Sequence, residues 1–323
     1  MIGSHSSAEV RGDVVATLES LRERTKIPMR QLLTWAGIHK SRFDRWRQQQ
    51  RCASPERSTR LHPSAILPEE RDAILAYRTA LQREGRSVSY RIQTNEMLDN
   101  DIAACSESTV YRVLKEAGHI RESMVHPTKK GAGFQQPQGV HMHWHTDISY
   151  LWEFGYRAYL VAVIDGFSRA VLHHQVMRSM TTGDVELVLQ VAHEKYPHAR
   201  PRVITDNGSQ FISNQFKGFL ADCGFTHAKT SVSYPQSIGK MERQFRTTKE
   251  ELRQRSILDF DDLVAHVSDI ITYYNTLRYH SALAYITPQD VLDGRAEQIQ
   301  TARRMKLEDA RERRMLVNSH MFI

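Results

Sequence analysis

The sequence predicts an α/β protein in which helical units precede a mixed-sheet domain. Three observations carry this. Through the first 120 residues, apolar side chains recur at helical spacing, as in Leu18, Leu21, Leu32 and Leu33. From residue 141 the pattern turns to short β-branched and aromatic runs, 141–150, 156–165 and 169–177, whose tight connections predict an antiparallel meander. After Thr181, helical and strand-like segments alternate as in βαβ units.

The elements follow in order. Residues 14–50 read as two short helices joined by a turn at Ala36-Gly37, the second starting near Lys40. In that helix Phe43 and Trp46, at i and i+3, face a core, which turns Arg42 and Arg45 outward as candidate DNA contacts. The first domain is therefore a helix-turn-helix unit over 1–54. A linker at 55–66 lies in the Pro-, Ser- and Arg-rich stretch 53–68. A second helical DNA-binding unit is expected over 67–120. Its last helix, 106–118, opens on capping serines and stops at Gly118, with Ser108, Thr109, Arg112 and Lys115 expected to meet phosphates or base edges. Residues 121–139 form another basic, Gly- and Gln-containing linker. The α/β core is assigned to 140–256: the meander, a helix over 181–196, a strand at 203–205, a helix near 214–223, a strand around 226–230 and the helix carrying Glu242. The C-terminal region, 257–323, holds an amphipathic helix at 260–274. Its mixed-charge segment, 303–318, reads as a solvated, salt-bridged helix.

Composition narrows the function classes. A chain of 323 residues, 40% hydrophobic and 25% charged, is ordinary for a globular protein of two or three domains. Its net charge of +7 favours polyanionic partners. Cys52, Cys105 and Cys223 are odd in number and lack any CxxC, which argues against a disulfide framework or a zinc site. No apolar run is long enough for a bilayer and no signal pattern opens the chain, so the expectation is a cytoplasmic protein with no membrane partner.

Three carboxylates stand out by context. Asp147 lies in a β-rich run, His-Trp-His-Thr-Asp-Ile-Ser-Tyr; Asp206 closes Arg-Val-Ile-Thr-Asp-Asn-Gly, a strand entering a turn; Glu242 opens a polar helix. Lys249 follows Glu242 by seven residues, nearly two turns along the same helical face. Taken alone, Glu242 is a surface charge placed to pair with Arg246 at i, i+4. His141, His143 and His145 alternate along the strand with Asp147, and are read as structural or solvent-facing. Asp165 is read as a turn cap.

Taken in order, Thr146-Asp147-Ile148-Ser149-Tyr150, the 159–165 strand with Ser168-Arg169 after it, Thr205-Asp206-Asn207-Gly208-Ser209-Gln210-Phe211, and Tyr234-Pro235-Gln236-Ser237-Ile238-Gly239-Lys240-Met241-Glu242 resemble the core of DDE transposases and retroviral integrases, in particular bacterial insertion-sequence transposases. Tyr273-Tyr274-Asn275-Thr276-Leu277-Arg278-Tyr279-His280 is similar to the segment after the catalytic helix in those enzymes. The likeness spans roughly residues 140 to 292.

It implies a ribonuclease H-like mixed-sheet core in which Asp147, Asp206 and Glu242 are both catalytic residues and ligands of Mg²⁺, with Mn²⁺ as substitute. It further implies a nucleoid-associated polynucleotidyl transferase acting on double-stranded DNA, both terminal repeats and target, as a homodimer or higher multimer. The Arg that many relatives place four residues before the Glu is Ile238 here, so its phosphate-binding role falls to Lys240, Arg243 or Arg246, beside Lys249, or is absent. The alternatives are a domesticated DNA-binding regulator that keeps the fold without strand transfer, and a ribonuclease acting on RNA·DNA hybrids.

Overall fold

The computed structural model describes residues 8–51, 62–120, 136–229 and 239–320. It divides into two compact units, Met1–Pro63 and Ser64–Ile323.

The first unit contains three helices rather than two: α1 (Ala8–Thr25), α2 (Met29–Trp35) and α3 (Lys40–Arg51). The extra break falls where Lys26 adopts a φ of 58° and Pro28 disfavours helix at the residue before it. Gly37 takes φ +66° in the turn before α3, a conformation that costs glycine nothing. Phe43 and Trp46 bury against Val15, Leu18, Leu32, Leu33 and Ile38, while Arg42 and Arg45 are exposed, as their spacing predicts. Leu21, counted with the apolar pattern, is 37% exposed, and Trp35 at the end of α2 is 66% exposed.

The second unit begins with α4 (Pro68–Arg83), α5 (Tyr90–Asp99) and α6 (Glu107–Glu116). Pro68, the last residue of the Pro-, Ser- and Arg-rich stretch, is the first residue of α4, where its missing N–H costs no hydrogen bond. Ser89 and Ser106 cap α5 and α6 by accepting from the Ile92 and Thr109 amides. The three helices close over Ile74, Met97, Cys105, Val110, Val113 and Leu114.

The sheet comprises β1 (His143–Tyr150), β2 (Tyr159–Asp165), β3 (Val171–Met177), β4 (Arg202–Thr205) and β5 (Thr226–Lys229), in the order β3-β2-β1-β4-β5. The first three strands form the expected antiparallel meander, and β4 and β5 add in parallel, which makes the sheet mixed. Helices α7 (Thr182–Lys195), α8 (Ser209–Ile212) and α9 (Asn214–Asp222) belong to one face, packing on Trp144, Val161, Val163 and Val203. Helices α10 (Gly239–Leu252) and α11 (Phe260–Thr276) cover the other, over Leu160, Ala162 and Ile164. The strands thus alternate between two apolar layers. Asn275 of α11 secures the sheet edge, accepting from the Val171 N–H and donating to its carbonyl, both at 2.9 Å.

After α12 (Pro288–Leu292), the long α13 (Ala296–His320) corrects the expectation of a solvated helix. Four of its basic side chains pair with the α4–α6 unit. Arg303 reaches Asp99 at 2.6 Å, Lys306 reaches Asp101 at 2.7 Å, and Arg313 and Arg314 reach Glu70 at 3.0 and 2.7 Å. Glu70 is only 4% exposed. Burial alone would push its carboxyl up, but hydrogen bonds from Arg314 and the Leu67 amide, with the charges of Arg314 and Arg313, hold it below the usual carboxylate range. Among the described residues no helix is long and apolar enough to cross a membrane.

Candidate active site

Strand alternation decides where Asp147 points. It pairs with Ala162, whose side chain belongs to the layer under α10 and α11, so Asp147 faces those helices. The parallel register of β1 with β4, Trp144 beside Val203 and His145 beside Ile204, carried two residues on, brings Asp206 alongside Asp147. Asp206 is set by a tight turn in which its Oδ1 accepts from the Gly208 amide at 2.9 Å. A Cβ on Gly208 would stand 3.0 Å from that same oxygen. Glu242 sits on the exposed side of the first turn of α10, whose buried Met241, Gln244, Phe245, Thr248 and Leu252 anchor the helix to the sheet.

The electrostatics register this convergence. Burial pushes the Asp147 carboxyl up to about 7, and the charges of Asp206 and Glu242 push the same way, against a hydrogen bond of 2.8 Å from the Ile148 amide. Glu242 also lines a cavity of about 310 Å³ with Ser149, Arg246 and Lys249, and Ser149 lies two residues beyond Asp147 on the same strand face. The donor set, oxygen only, suits a hard divalent cation. Among the described residues, however, no three His, Cys, Asp or Glu side chains stand close enough together to hold one ion. The site therefore fits such a cation in the kind of its ligands, with its side chains spread wider than a bound ion requires.

The neighbouring cations take separate seats. Lys249 pairs with Glu153 at 3.6 Å, and Arg253 joins the same carboxylate at 2.8 Å. Arg246 pairs with Glu250 at 3.9 Å rather than with Glu242. Around α10, Lys240 lies nearly half a turn and Arg243 about a third of a turn from Glu242 and Lys249, so neither shares the face of those two residues. Lys240 donates to the Gly166 carbonyl at 2.6 Å; burial first, then the charge of Arg169, pulls its ammonium down to about 8 against the opposing charge of Asp165. Ile238 and the 231–238 stretch lie outside the described residues.

Asp165 is a turn cap, as expected, accepting from the His141, Phe167 and Ser168 amides and from the Ser168 hydroxyl. His145 is buried, and His141 accepts from the Trp144 indole N–H at 3.2 Å and packs on Tyr196. In the helical units, Ser108, Arg112 and Lys115 are exposed on α6, with Thr109 half-buried among them. Sequence reasoning gave no role to Arg169, Arg278 or His280, which line a basic cleft on the other flank of α10. The available signal was their presence in the Ser168-Arg169 and Arg278-Tyr279-His280 motifs.

Known proteins resemble this part of the chain. Two models, each described as Integrase core domain, match residues 137–235 and 223–288. The transposase for insertion sequence element IS904 of Lactococcus lactis subsp. lactis is 28% identical over 179 residues, covering 51% of this chain and 70% of that protein. Transposase InsD for insertion element IS2A/D/F/H/I/K of Escherichia coli is 27% identical over 206 residues, covering 60% of this chain and 68% of that one. Among solved structures, the HTLV-2 integrase catalytic core domain in complex with magnesium aligns over 48% of this chain and 98% of its own, at 21% identity and a TM-score of 0.38. Residues 137–288 thus match integrase core domain models, and the chain is similar to insertion-sequence transposases of the retroviral integrase superfamily.

Proposed function

We propose that this protein is the active transposase of an insertion sequence: it binds the element's terminal repeats, cleaves DNA to expose 3′ ends and joins those ends to target DNA. The observation that carries the proposal is the convergence of Asp147, Asp206 and Glu242 from a strand centre, a strand end and a helix. The transposases it resembles supply the reaction class.

Asp147, Asp206 and Glu242 would hold the divalent cation, Mg²⁺ or Mn²⁺, which supplies Lewis acidity for phosphodiester exchange when bound. Water attack on one phosphodiester leaves a 3′ hydroxyl, and that hydroxyl attacks a second phosphodiester at the same carboxylates. One bond forms as one breaks in each step, so no covalent protein intermediate is required. Asp147, whose carboxyl titrates near neutrality, gives up its proton as the cation binds. Lys249 and Arg246, which share a cavity with Glu242, hold phosphates beside the reacting one. Arg42 and Arg45 of α3, with Ser108, Thr109, Arg112 and Lys115 of α6, engage the repeats. Joining two ends to one target calls for two active sites, hence a homodimer or larger assembly on DNA.

A strand-transfer assay with duplexes carrying the terminal repeat and Mg²⁺ tests the proposal. Asp206→Asn and Glu242→Gln are expected to reduce product by at least about a thousandfold, the order lost when a charge-stabilising group is removed, while duplex binding persists. Equal product from wild type and both variants, or none from wild type with the correct ends, overturns it.

A further inference from the structure

Around α10 from Glu242, and sharing Arg246 with its cavity, a cleft of about 830 Å³ opens between α10, the end of α11, the 278–285 segment and the start of α5. Five of its lining side chains are cationic, Arg169, Lys240, Arg243, Arg246 and Arg278, against one carboxylate, Glu250. Glu250 is paired with Arg246 and Lys240 is tied to the Gly166 carbonyl. The guanidinium groups of Arg169, Arg243 and Arg278 make no hydrogen bond or ion pair among the described residues.

Three such groups repel one another unless an anion sits between them. Their mutual proximity is felt by the side chains they surround. His280 is pushed down to about 4 by burial and then by Arg278, Arg169 and Arg243, and its buried Nε2 has no partner. The same three charges act on the phenol of Tyr274, beneath the cleft, opposing its burial. Arg169 also holds a φ of 66°, a backbone conformation that disfavours any residue with a Cβ. A long cationic side chain kept in a left-handed turn, half-buried and unpaired, is the kind of local strain that gathers at ligand sites. Tyr274, Tyr279 and Tyr285 form a tyrosine wall of the cleft, in which the Tyr279 hydroxyl donates to Asp99.

We infer that this cleft is a second DNA-binding site, which takes the phosphodiester backbone of a DNA strand with one phosphate among Arg169, Arg243 and Arg278. Planar guanidinium forks match phosphate oxygens bidentately, and the tyrosine wall offers an apolar surface to the adjoining sugar or base. The choice of DNA as substrate class rests on the proposed transposase function. Arg246 lines both this cleft and the Glu242 cavity, so a strand bound here would run beside the catalytic carboxylates around the same helix.

The test measures duplex DNA binding by the full chain in EDTA, across a KCl series. Arg169→Gly and Arg278→Gln are each expected to lower the slope of log affinity against log salt by about one, and to weaken binding roughly tenfold at moderate salt. Arg295→Gln, whose guanidinium is already paired with Asp290 and Asp293, serves as the unchanged control. A second measurement leaves the arginines in place: Ser281→Cys, at the exposed rim of the cleft, is expected to form a disulfide with DNA bearing a phosphate-tethered thiol. Unchanged slopes with no cross-link above the level of the parent protein overturn the inference, as does cross-linking to RNA in preference to DNA. Because the binding arm needs no metal, altered slopes without strand transfer would sink the enzyme reading and keep the cleft; strand transfer with unaltered slopes and no cross-link would do the reverse.

Discussion

The guanidinium of Arg303 closes on the carboxylate of Asp99 through hydrogen bonds of 2.7 and 2.6 Å, joining α13 to α5 across 204 positions of sequence. The same guanidinium donates to the carbonyls of Ala284 and Tyr285, two residues at positive φ. Arg303→Ala would strand a half-buried carboxylate and release that turn. The expected loss is about 3 kcal/mol, the range for breaking a buried pair from one side, read from denaturant midpoints. A double-mutant cycle with Asp99→Ala should recover much of it; a fully additive cycle would remove the coupling.

Asp147 gives the fold a pH dependence. Its folded pKa of about 7 lies above the roughly 3.9 of an unfolded Asp. The folded state therefore binds the proton more tightly, and the stability this contributes is full below pH ~4 and lost as pH rises through about 7. In chelator, Asp147→Asn is expected to flatten the stability profile between those values and to exceed wild type at pH 8 by about 2 kcal/mol. Identical wild-type and variant profiles would show that the carboxyl titrates normally.

Gly208→Ala addresses the turn that aims Asp206. The new Cβ would meet Asp206 Oδ1 at 3.0 Å and Gln210 Oε1 at 3.2 Å. Displacing the carboxylate is expected to depress strand transfer by about a hundredfold or more, on the scale set by a 1 Å misplacement, with a stability cost of only about 1–2 kcal/mol. Full activity in Gly208→Ala would mean that the turn does not govern the carboxylate.

The sheet was legible because its signals are local. Three β-rich runs with short connections specified the meander, and capping serines with a terminal glycine specified α6. The carboxylate contexts specified which faces could meet. What escaped was structure set by distant partners or by very few residues. Helix α8 is four residues long, too short for any periodicity to register. The pairing of α13 depends on Glu70, Asp99 and Asp101, some 200 positions earlier, so its charges read as solvated. Lys240 looked like one more cation on the Glu242 helix, and only its rotation about α10 separates it from the carboxylates. Arg169 was visible in a motif, whereas its left-handed backbone and its arginine neighbours were not.

The bracing of α4 and α5 by α13 sets the order in which this protein would decay. A frameshift or stop codon after Leu292 would leave Asp147, Asp206 and Glu242 encoded, yet would strip Glu70 and Asp99 of their arginines and loosen the scaffold beneath α6. Such remnants should lose their address on DNA before they lose their chemistry.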